Sequence, residues 1–133
     1  MPFLFDASAF VNLIVSRGDE SLSALETQRI LDLALYETGN SLWKLKSIGR
    51  LEPQDAASLM HVAAKVSDHM TLLRPSTADL PPILTIALEE RASFYDSSYV
   101  HLAGKHALEL VTDDAPLAKV ASKYVNTRPS SEV

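Results

Sequence analysis

The segment LELVTDDAPL, residues 108–117, decides the fold class of this 133-residue chain. Its apolar part, residues 108–112, has the length and composition of a buried strand and leads directly into two aspartates. Pro116 then begins a helical pattern that extends to residue 123. The segment FLFD, residues 3–6, has the same order: a short apolar run, an aspartate and then a helical pattern. Strands that alternate with helices indicate an α/β fold.

Further strands and helices alternate along the rest of the chain. The apolar run at residues 30–35 predicts a strand, although it could instead belong to the helix that follows it. The other predicted strands are residues 70–73, a short extended segment at 93–95 and a final one near 124–125. The predicted helices run through residues 9–14, 36–48, 53–66, 80–91 and 97–105.

Helices of ten or more residues between strands imply right-handed crossovers and a parallel sheet with helices on both faces. We therefore predict one three-layer α/β/α domain over residues 1–133. Pro81-Pro82 begins a helix rather than dividing two domains. The polar segment from Asn126 onward is expected to be a loose tail.

The composition excludes several kinds of protein and site. The chain contains no cysteine, which excludes disulfides and thiolate metal sites. No segment has the apolar character of a signal peptide or of a membrane-spanning helix of about 20 residues, so we expect a cytoplasmic protein without a membrane span. The net charge of −5 argues against binding nucleic acid through the overall field of the protein, but it is compatible with acidic ligands of a metal ion.

Four acidic residues are predicted at strand-to-helix junctions on the carboxyl side of the sheet, where open parallel sheets bind ligands. They are Asp6, Glu37, Asp96 and Asp114. A single aspartate at such a junction is commonly a helix N-cap, and four caps could lie far apart. Carboxylates that lie together repel by about 4 kcal/mol per pair at about 4 Å, and a bound cation relieves this repulsion. Oxygen ligands without cysteine suit Mg²⁺ or Mn²⁺ better than zinc.

A polar stripe follows Glu37 along its predicted helix. Residues at helical spacing of three and four share one face, and here they are Glu37, Asn40, Ser41 and Lys44. Such a stripe is commonly solvent-exposed surface. As the wall of an active site, it would use Asn40 to orient a ligand and Lys44 to contact a phosphate.

These residues lie in four motifs that resemble those of the PIN-domain nucleases. FDAS, residues 5–8, resembles the family's first strand with Asp-x-Ser, and YETGNSLW, residues 36–43, resembles its Glu-x-x-Asn-x-Leu helix. YDSSYVHLA, residues 95–103, is similar to its Tyr-Asp-x-x-Tyr-x-x-Leu-Ala motif, and TDDAPL, residues 112–117, to Thr-x-Asp-x-x-Leu. The four motifs stand in the family's order and span nearly the whole chain.

The resemblance implies a parallel sheet of about five strands, a Mg²⁺ or Mn²⁺ site made of three or four acids, and cleavage of RNA phosphodiester bonds. Many small members are VapC-type toxins, which an antitoxin protein holds inactive and which are often homodimers. In this chain Asp6, Glu37 and Asp96 match the ligand positions. Either Asp113 or Asp114 could be the fourth ligand, and spacing from Thr112 and Leu117 favours Asp114. Ser8 and Thr112 could hydrogen-bond to the carboxylates or to a phosphate.

Some residues near the predicted site have alternative interpretations. Trp43 and Tyr99 could stack on a base, although packing is the commoner role for both. Lys44, Lys46 and Arg50 could guide RNA or simply face solvent. The amphipathic helix at residues 53–66 could pack internally or support a homodimer.

The alternative function from a different class is a non-catalytic PIN-like binding module that acts in RNA processing or protein interaction. Such a module would use the acidic pocket structurally or bind a basic peptide there. The complete set of four acids favours the nuclease.

Overall fold

The computed structural model describes residues 2–133, and its centre is a sheet of five short parallel strands. Their order across the sheet is β3-β2-β1-β4-β5, and every neighbouring pair is parallel. All five strands therefore have their carboxyl ends at the same edge of the sheet. The strands are Phe3–Phe5 (β1), Arg29–Leu31 (β2), Thr71–Leu73 (β3), Glu109–Val111 (β4) and Thr127–Arg128 (β5).

Helices cover both faces of this sheet and confirm the predicted three-layer α/β/α fold. Helices α1 to α4 pack on one face, and α5 to α7 pack on the other. Short 3₁₀ turns lie at Gly18–Ser21, Thr77–Asp79 and Ser130–Glu132. The helices are Ala7–Arg17 (α1), Leu22–Leu25 (α2), Asp32–Ser47 (α3), Pro53–Ser67 (α4), Leu80–Glu90 (α5), Phe94–Lys105 (α6) and Ala115–Ala121 (α7).

Alternation along the central strands divides the hydrophobic core between the two faces. In β1, Leu4 packs with the α6 and α7 side and Phe5 with the α1 side, and neither is exposed to solvent. Leu110 and Val111 alternate in the same way in β4. Strands that are buried on both faces have apolar residues at consecutive positions, which explains the short apolar runs in the sequence.

The apolar run at residues 30–35 is divided between a strand and a helix. β2 ends at Leu31, and α3 begins at Asp32. The buried residues of α3 are Ala34, Thr38 and Leu42, which have helical spacing of four residues. The predicted helix start at residue 36 is therefore wrong, and Glu37 lies in the second turn of α3 rather than at a strand-to-helix junction.

The predicted extended segment at residues 93–95 is also wrong, because α6 begins at Phe94. Ser93 caps this helix, and its hydroxyl accepts a hydrogen bond from the amide of Asp96 at 3.0 Å. Asp96 is consequently the third residue of α6. The cap gives a hydrogen-bond partner to an amide of the first helical turn. In a short isolated strand at residues 93–95, the same amides would have no partner.

The last strand lies at Thr127–Arg128 and not at the predicted residues 124–125. Val125 still donates a helix-type hydrogen bond to the carbonyl of Ala121, so pairing with β4 starts only beyond it. The polar tail is not loose. Arg128 forms an ion pair with Glu109 of β4 at 2.7 Å, which fastens the strand to the sheet.

The remaining predicted elements are confirmed within a few residues at their ends. Pro81 and Pro82 lie in the first turn of α5, as expected from the helix-start preference of proline. None of the helices within residues 2–133 has the length and apolar character needed to cross a membrane.

Candidate active site

Side chains from both halves of the chain converge on one open cavity of about 340 Å³ at the carboxyl edge of the sheet. Two of its carboxylates follow the adjacent central strands β1 and β4, and the other two lie on α3 and α6. The topology thus brings together all four acids that were predicted for the site. They are Asp6, Glu37, Asp96 and Asp114.

Asp6 is the most deeply buried of the four, with 4% of its surface exposed. Its Oδ1 accepts hydrogen bonds from the Ala9 amide at 2.9 Å and the Ser8 hydroxyl at 2.7 Å, and its Oδ2 accepts one from the Thr112 hydroxyl at 2.6 Å. Burial raises the pKa of Asp6 to about 6, although these hydrogen bonds oppose the rise, and repulsion from Asp114 adds to it. A carboxylate with neutral donors alone is well placed to receive a cation.

The hydroxyls of Ser8 and Thr112 also join the two strand ends to each other. Ser8 Oγ accepts from the amide of Asp113 at 3.0 Å, and Thr112 Oγ1 accepts from the amide of Asp114 at 3.1 Å. Each hydroxyl therefore donates to Asp6 while it accepts from the loop that follows β4. These bonds hold the position of Asp6 relative to Asp114.

Asp113 and Asp114 are neighbours in sequence, but their side chains make contacts in different parts of the structure. Asp114 lines the cavity and caps α7, accepting from the Leu117 amide at 3.1 Å. Asp113 instead accepts from the Asn12 side chain at 2.7 Å and from the Ser130 amide at 2.8 Å. The Ser130 hydroxyl also donates to Asp113, and this hydrogen bond, followed by those from the Ser130 amide and Asn12, holds the pKa of Asp113 below its usual value, although burial opposes them. Asp113 therefore ties the C-terminal turn to α1, and Asp114 is the aspartate of this pair at the cavity.

Glu37 and Asp96 form the helical wall of the cavity and are less buried than Asp6. Burial raises the pKa of Glu37, and the charges of Asp96 and Asp114 raise it further, while a hydrogen bond from Tyr99 opposes the change. The Tyr99 hydroxyl donates to Glu37 Oε1 at 2.7 Å. Burial, followed by repulsion from Asp114, also raises the pKa of Asp96. Mutual repulsion is thus common to all four acids.

The polar stripe of α3 only partly lines the cavity. Asn40 and Ser41 are among its lining residues, as expected from their helical spacing to Glu37. Lys44 is exposed and lies one turn farther along the helix, outside the cavity. Tyr36 also lines the cavity while 83% exposed, a position that sequence reasoning missed. The sequence signal for this position is the spacing of four residues between Tyr36 and Asn40, which places both on one side of the helix.

The donor chemistry of the cavity fits a hard divalent cation, but the side chains are not closed around one. Four carboxylates face the same space, and within residues 2–133 none of them has a lysine, arginine or histidine at ion-pair distance. In the same part of the chain, no group of three or more acidic or histidine side chains is arranged to hold a metal ion. Binding would therefore require side-chain movement at the cavity.

Two proteins with similar sequences are from Pyrobaculum aerophilum. A protein named Exonuclease VapC9 is 36% identical over 115 residues, which cover 86% of this chain and 82% of that protein. A second, Ribonuclease VapC3, is 31% identical over 130 residues, covering 90% of this chain and 94% of that protein. The chain matches no protein-family model.

The fold also matches a solved structure. The crystal structure of PAE2754 from Pyrobaculum aerophilum superimposes with a TM-score of 0.80 at 31% sequence identity. The match covers 99% of this chain and 92% of that one.

Proposed function

Because this chain belongs to the VapC-type PIN-domain nucleases, we propose that it is a Mg²⁺- or Mn²⁺-dependent endoribonuclease and the toxin of a toxin–antitoxin pair. The observation that carries this proposal is the convergence of Asp6, Glu37, Asp96 and Asp114 on one cavity. Burial and repulsion between carboxylates raise the pKa values of Asp6, Glu37 and Asp96, and a bound cation would relieve that repulsion.

Each acid has a role that follows from its setting. Asp6 is the fixed ligand, because three neutral donors hold its carboxylate in place. Glu37 and Asp96 lie on helix surfaces and can change rotamer to complete the coordination. Asp114 contributes from the N-terminus of α7. A bound Mg²⁺ or Mn²⁺ lowers the pKa of a bound water and offsets charge on the phosphate during hydrolysis.

Charge explains why RNA needs such a cation to enter this site. Four carboxylates repel a phosphodiester, and within residues 2–133 no basic side chain lines the cavity. Asn40 and Ser41 can orient the substrate by hydrogen bonds at the cavity wall. Lys44, one turn beyond, can contact a neighbouring phosphate.

The side chain of Asp96 makes no hydrogen bond among the described residues, so a substitution there should leave the fold intact. Asp96→Asn should reduce Mg²⁺-dependent RNA cleavage by at least about 100-fold, since even changes to residues that support metal ligands cost about 10- to 100-fold. The thermal unfolding curve should stay close to that of the unmodified protein. Cleavage of a fluorescent RNA at several Mg²⁺ concentrations measures the effect.

A matched control is Asp55→Asn, the same substitution at an exposed position of α4. It should leave cleavage unchanged. Full activity of the Asp96→Asn variant would refute the proposed site.

One observation favours a different function. The cavity has an acidic lining without a basic side chain among residues 2–133, which also suits a non-catalytic module that binds a basic peptide there. A Mg²⁺ or Mn²⁺ titration separates the two functions. A nuclease should gain thermal stability and cleave RNA as the metal is added, whereas the binding module should do neither.

A toxin requires a partner that holds it inactive, and we propose an antitoxin protein with a basic segment. Such a segment would offset the same negative charge that otherwise attracts the metal. Co-expression with the product of a neighbouring small gene should yield a stable complex that does not cleave RNA. We also propose that the free protein is a homodimer, and light scattering should give twice the mass of one chain.

A further inference from the structure

Helix α3 carries two exposed aromatic side chains that lead away from the acid-lined cavity. Tyr36 lines the cavity and is 83% exposed, and Trp43 is 63% exposed. Residues seven apart lie on the same side of a helix, about 10 Å apart along its axis. Asn40 lies between them on that side and also lines the cavity. The two rings therefore continue one surface that starts at the proposed reaction site.

Neither ring is part of the buried face of α3. The buried face of α3 consists of Ala34, Thr38 and Leu42, and both aromatic residues lie on the opposite side of the helix. Exposing large apolar groups to water is unfavourable in free energy. Where such groups adjoin a functional cavity, they indicate a binding surface.

Beyond Trp43, on the side away from the cavity, the chain carries three cations that form no ion pairs among residues 2–133. Lys44, Lys46 and Arg50 are exposed, and within residues 2–133 none of them pairs with a carboxylate. Cations in the last turn of a helix also offset its dipole, but that effect requires no aromatic neighbours. In a chain of net charge −5, a cationic and aromatic surface next to an acidic cavity is complementary to a polyanion with flat bases.

We propose that Tyr36 and Trp43, with Lys44 and Lys46 beyond Trp43, form a track on α3 that binds single-stranded RNA. Unpaired bases stack on the two rings, and the phosphates that follow Trp43 lie beside the lysines. Duplex RNA is excluded because its base faces are already stacked inside the helix. This proposal rests on the proposed function, because the track would bind the part of the RNA that extends out of the cavity in which the RNA is cleaved.

Trp43 is the only tryptophan of the chain, so its fluorescence reports directly on the track. In the Asp96→Asn background, which should leave the RNA intact, a single strand of about ten nucleotides should quench the emission. The same strand annealed to its complement should not. Loss of one stacked base should weaken binding, so Trp43→Ala should bind labelled RNA about 5- to 100-fold less tightly, and Trp43→Phe should restore most of the affinity.

Kinetics of the active protein give a second measurement. Trp43→Ala should raise KM for single-stranded RNA and leave kcat close to its original value, because the ring lies outside the cavity. Leu88→Ala removes a similarly exposed apolar side chain from α5, 72% exposed against 63% for Trp43, and should change neither parameter.

The outcomes separate the track from the nuclease function. RNA cleavage with unaltered Trp43 emission and an unchanged KM in Trp43→Ala would overturn the track and leave the nuclease intact. Quenching by single strands without any cleavage supports the track and overturns the nuclease. If Trp43→Ala instead dissociates a dimer and keeps its RNA affinity, the aromatic surface is a protein interface and the proposal is wrong.

Discussion

Asp6 and Asp79 are buried to the same extent, 4% exposed each, but they have opposite electrostatic settings. Asp6 receives hydrogen bonds from two hydroxyls and an amide, all neutral groups, and burial raises its pKa to about 6. Asp79 contacts His101 at 2.9 Å and Lys105 at 3.0 Å. The hydrogen bond with His101, followed by those from the Ser76 amide and Lys105, holds the pKa of Asp79 well below its usual range.

The difference distinguishes a structural carboxylate from a functional one. Asp79 lies at the start of α5 and its partners lie on α6, so the chain itself supplies the compensating charge. The charge of Asp6 has no such compensation and is repelled by Asp114 as well. A buried charge without a partner costs free energy, and the fold retains it here beside an open cavity. The negative charge of Asp6 must therefore be compensated from outside the chain, by a proton or a cation.

The largest expected effect comes from removing the uncompensated charge. Asp6→Asn keeps an acceptor for the Ala9 amide, so α1 should remain capped. RNA cleavage should fall by at least about 100-fold, because a proposed metal ligand is lost. The midpoint of thermal unfolding in the absence of metal should stay the same or rise, because the buried charge is removed. Cleavage assays and calorimetry measure the two effects.

Asp79→Asn should show the reverse, with cleavage retained and the unfolding midpoint lowered by several degrees. The substitution removes the charge that His101 and Lys105 compensate. If both variants lost activity and stability together, the distinction between the two carboxylates would be wrong.

The adjacent pair Asp113 and Asp114 offers the same comparison within a single loop. Asp114→Asn keeps the cap of α7 and should lower cleavage by about 10- to 100-fold, since it removes charge from the cavity. Asp113→Asn should keep most of the activity and cost about 1 kcal/mol of stability, because it weakens the bonds to Asn12 and Ser130. Greater loss of activity in Asp113→Asn than in Asp114→Asn would reverse the assignment of the two residues.

How well the sequence predicts each residue depends on what determines its position. Asp6 and Asp114 follow strands with strong apolar patterns, and strand direction alone brings both to one edge of the sheet. Glu37 was assigned to the right region but to the wrong place in its helix, because residues 33–35 are apolar enough for either element.

Tertiary contacts account for what the sequence could not predict. The two residues of β5 have no apolar signal, and Arg128 depends on Glu109 of the neighbouring strand. The orientation of Asp113 depends on Ser130, which is distant from it in sequence and belongs to a tail that was expected to be loose. The exposure of Tyr36 is likewise a property of the folded surface, which helical spacing alone does not supply.

The raised pKa of Asp6 should make the stability of the folded protein depend on pH. Its pKa is 3.8 without perturbation and about 6 in the fold, so between these values the folded protein binds more protons than the unfolded one. The contribution of Asp6 to the stability of the metal-free protein should therefore fall as pH rises from about 4 to about 6, and Asp6→Asn should lack this decline. Thermal unfolding of both proteins across this range measures the difference, and equal slopes would contradict it.

Proton competition gives the corresponding effect on activity. A metal ligand must be deprotonated, so cleavage at low Mg²⁺ should fall about tenfold between pH 7 and pH 5. More Mg²⁺ should move the midpoint to lower pH, because the metal then competes better with the proton for Asp6. A midpoint that does not respond to Mg²⁺ would assign the pH dependence to another group.

The smallest expected effect concerns Glu37, which lies on the helical wall of the cavity. It tests whether a neutral hydrogen-bond donor is needed to position Glu37, as neutral donors position Asp6. The hydroxyl of Tyr99 is the hydrogen-bond donor to Glu37, and the rest of its buried ring packs in the core between the sheet and α7. Tyr99→Phe keeps that packing and removes only the donor, so cleavage should fall by about 2- to 10-fold, the value of one hydrogen bond. Higher Mg²⁺ should restore most of the loss if the hydroxyl only orients Glu37 for the metal. An unchanged rate at low Mg²⁺ would mean that Glu37 does not depend on Tyr99, and that only the acids at the ends of β1 and β4 need to be held in place.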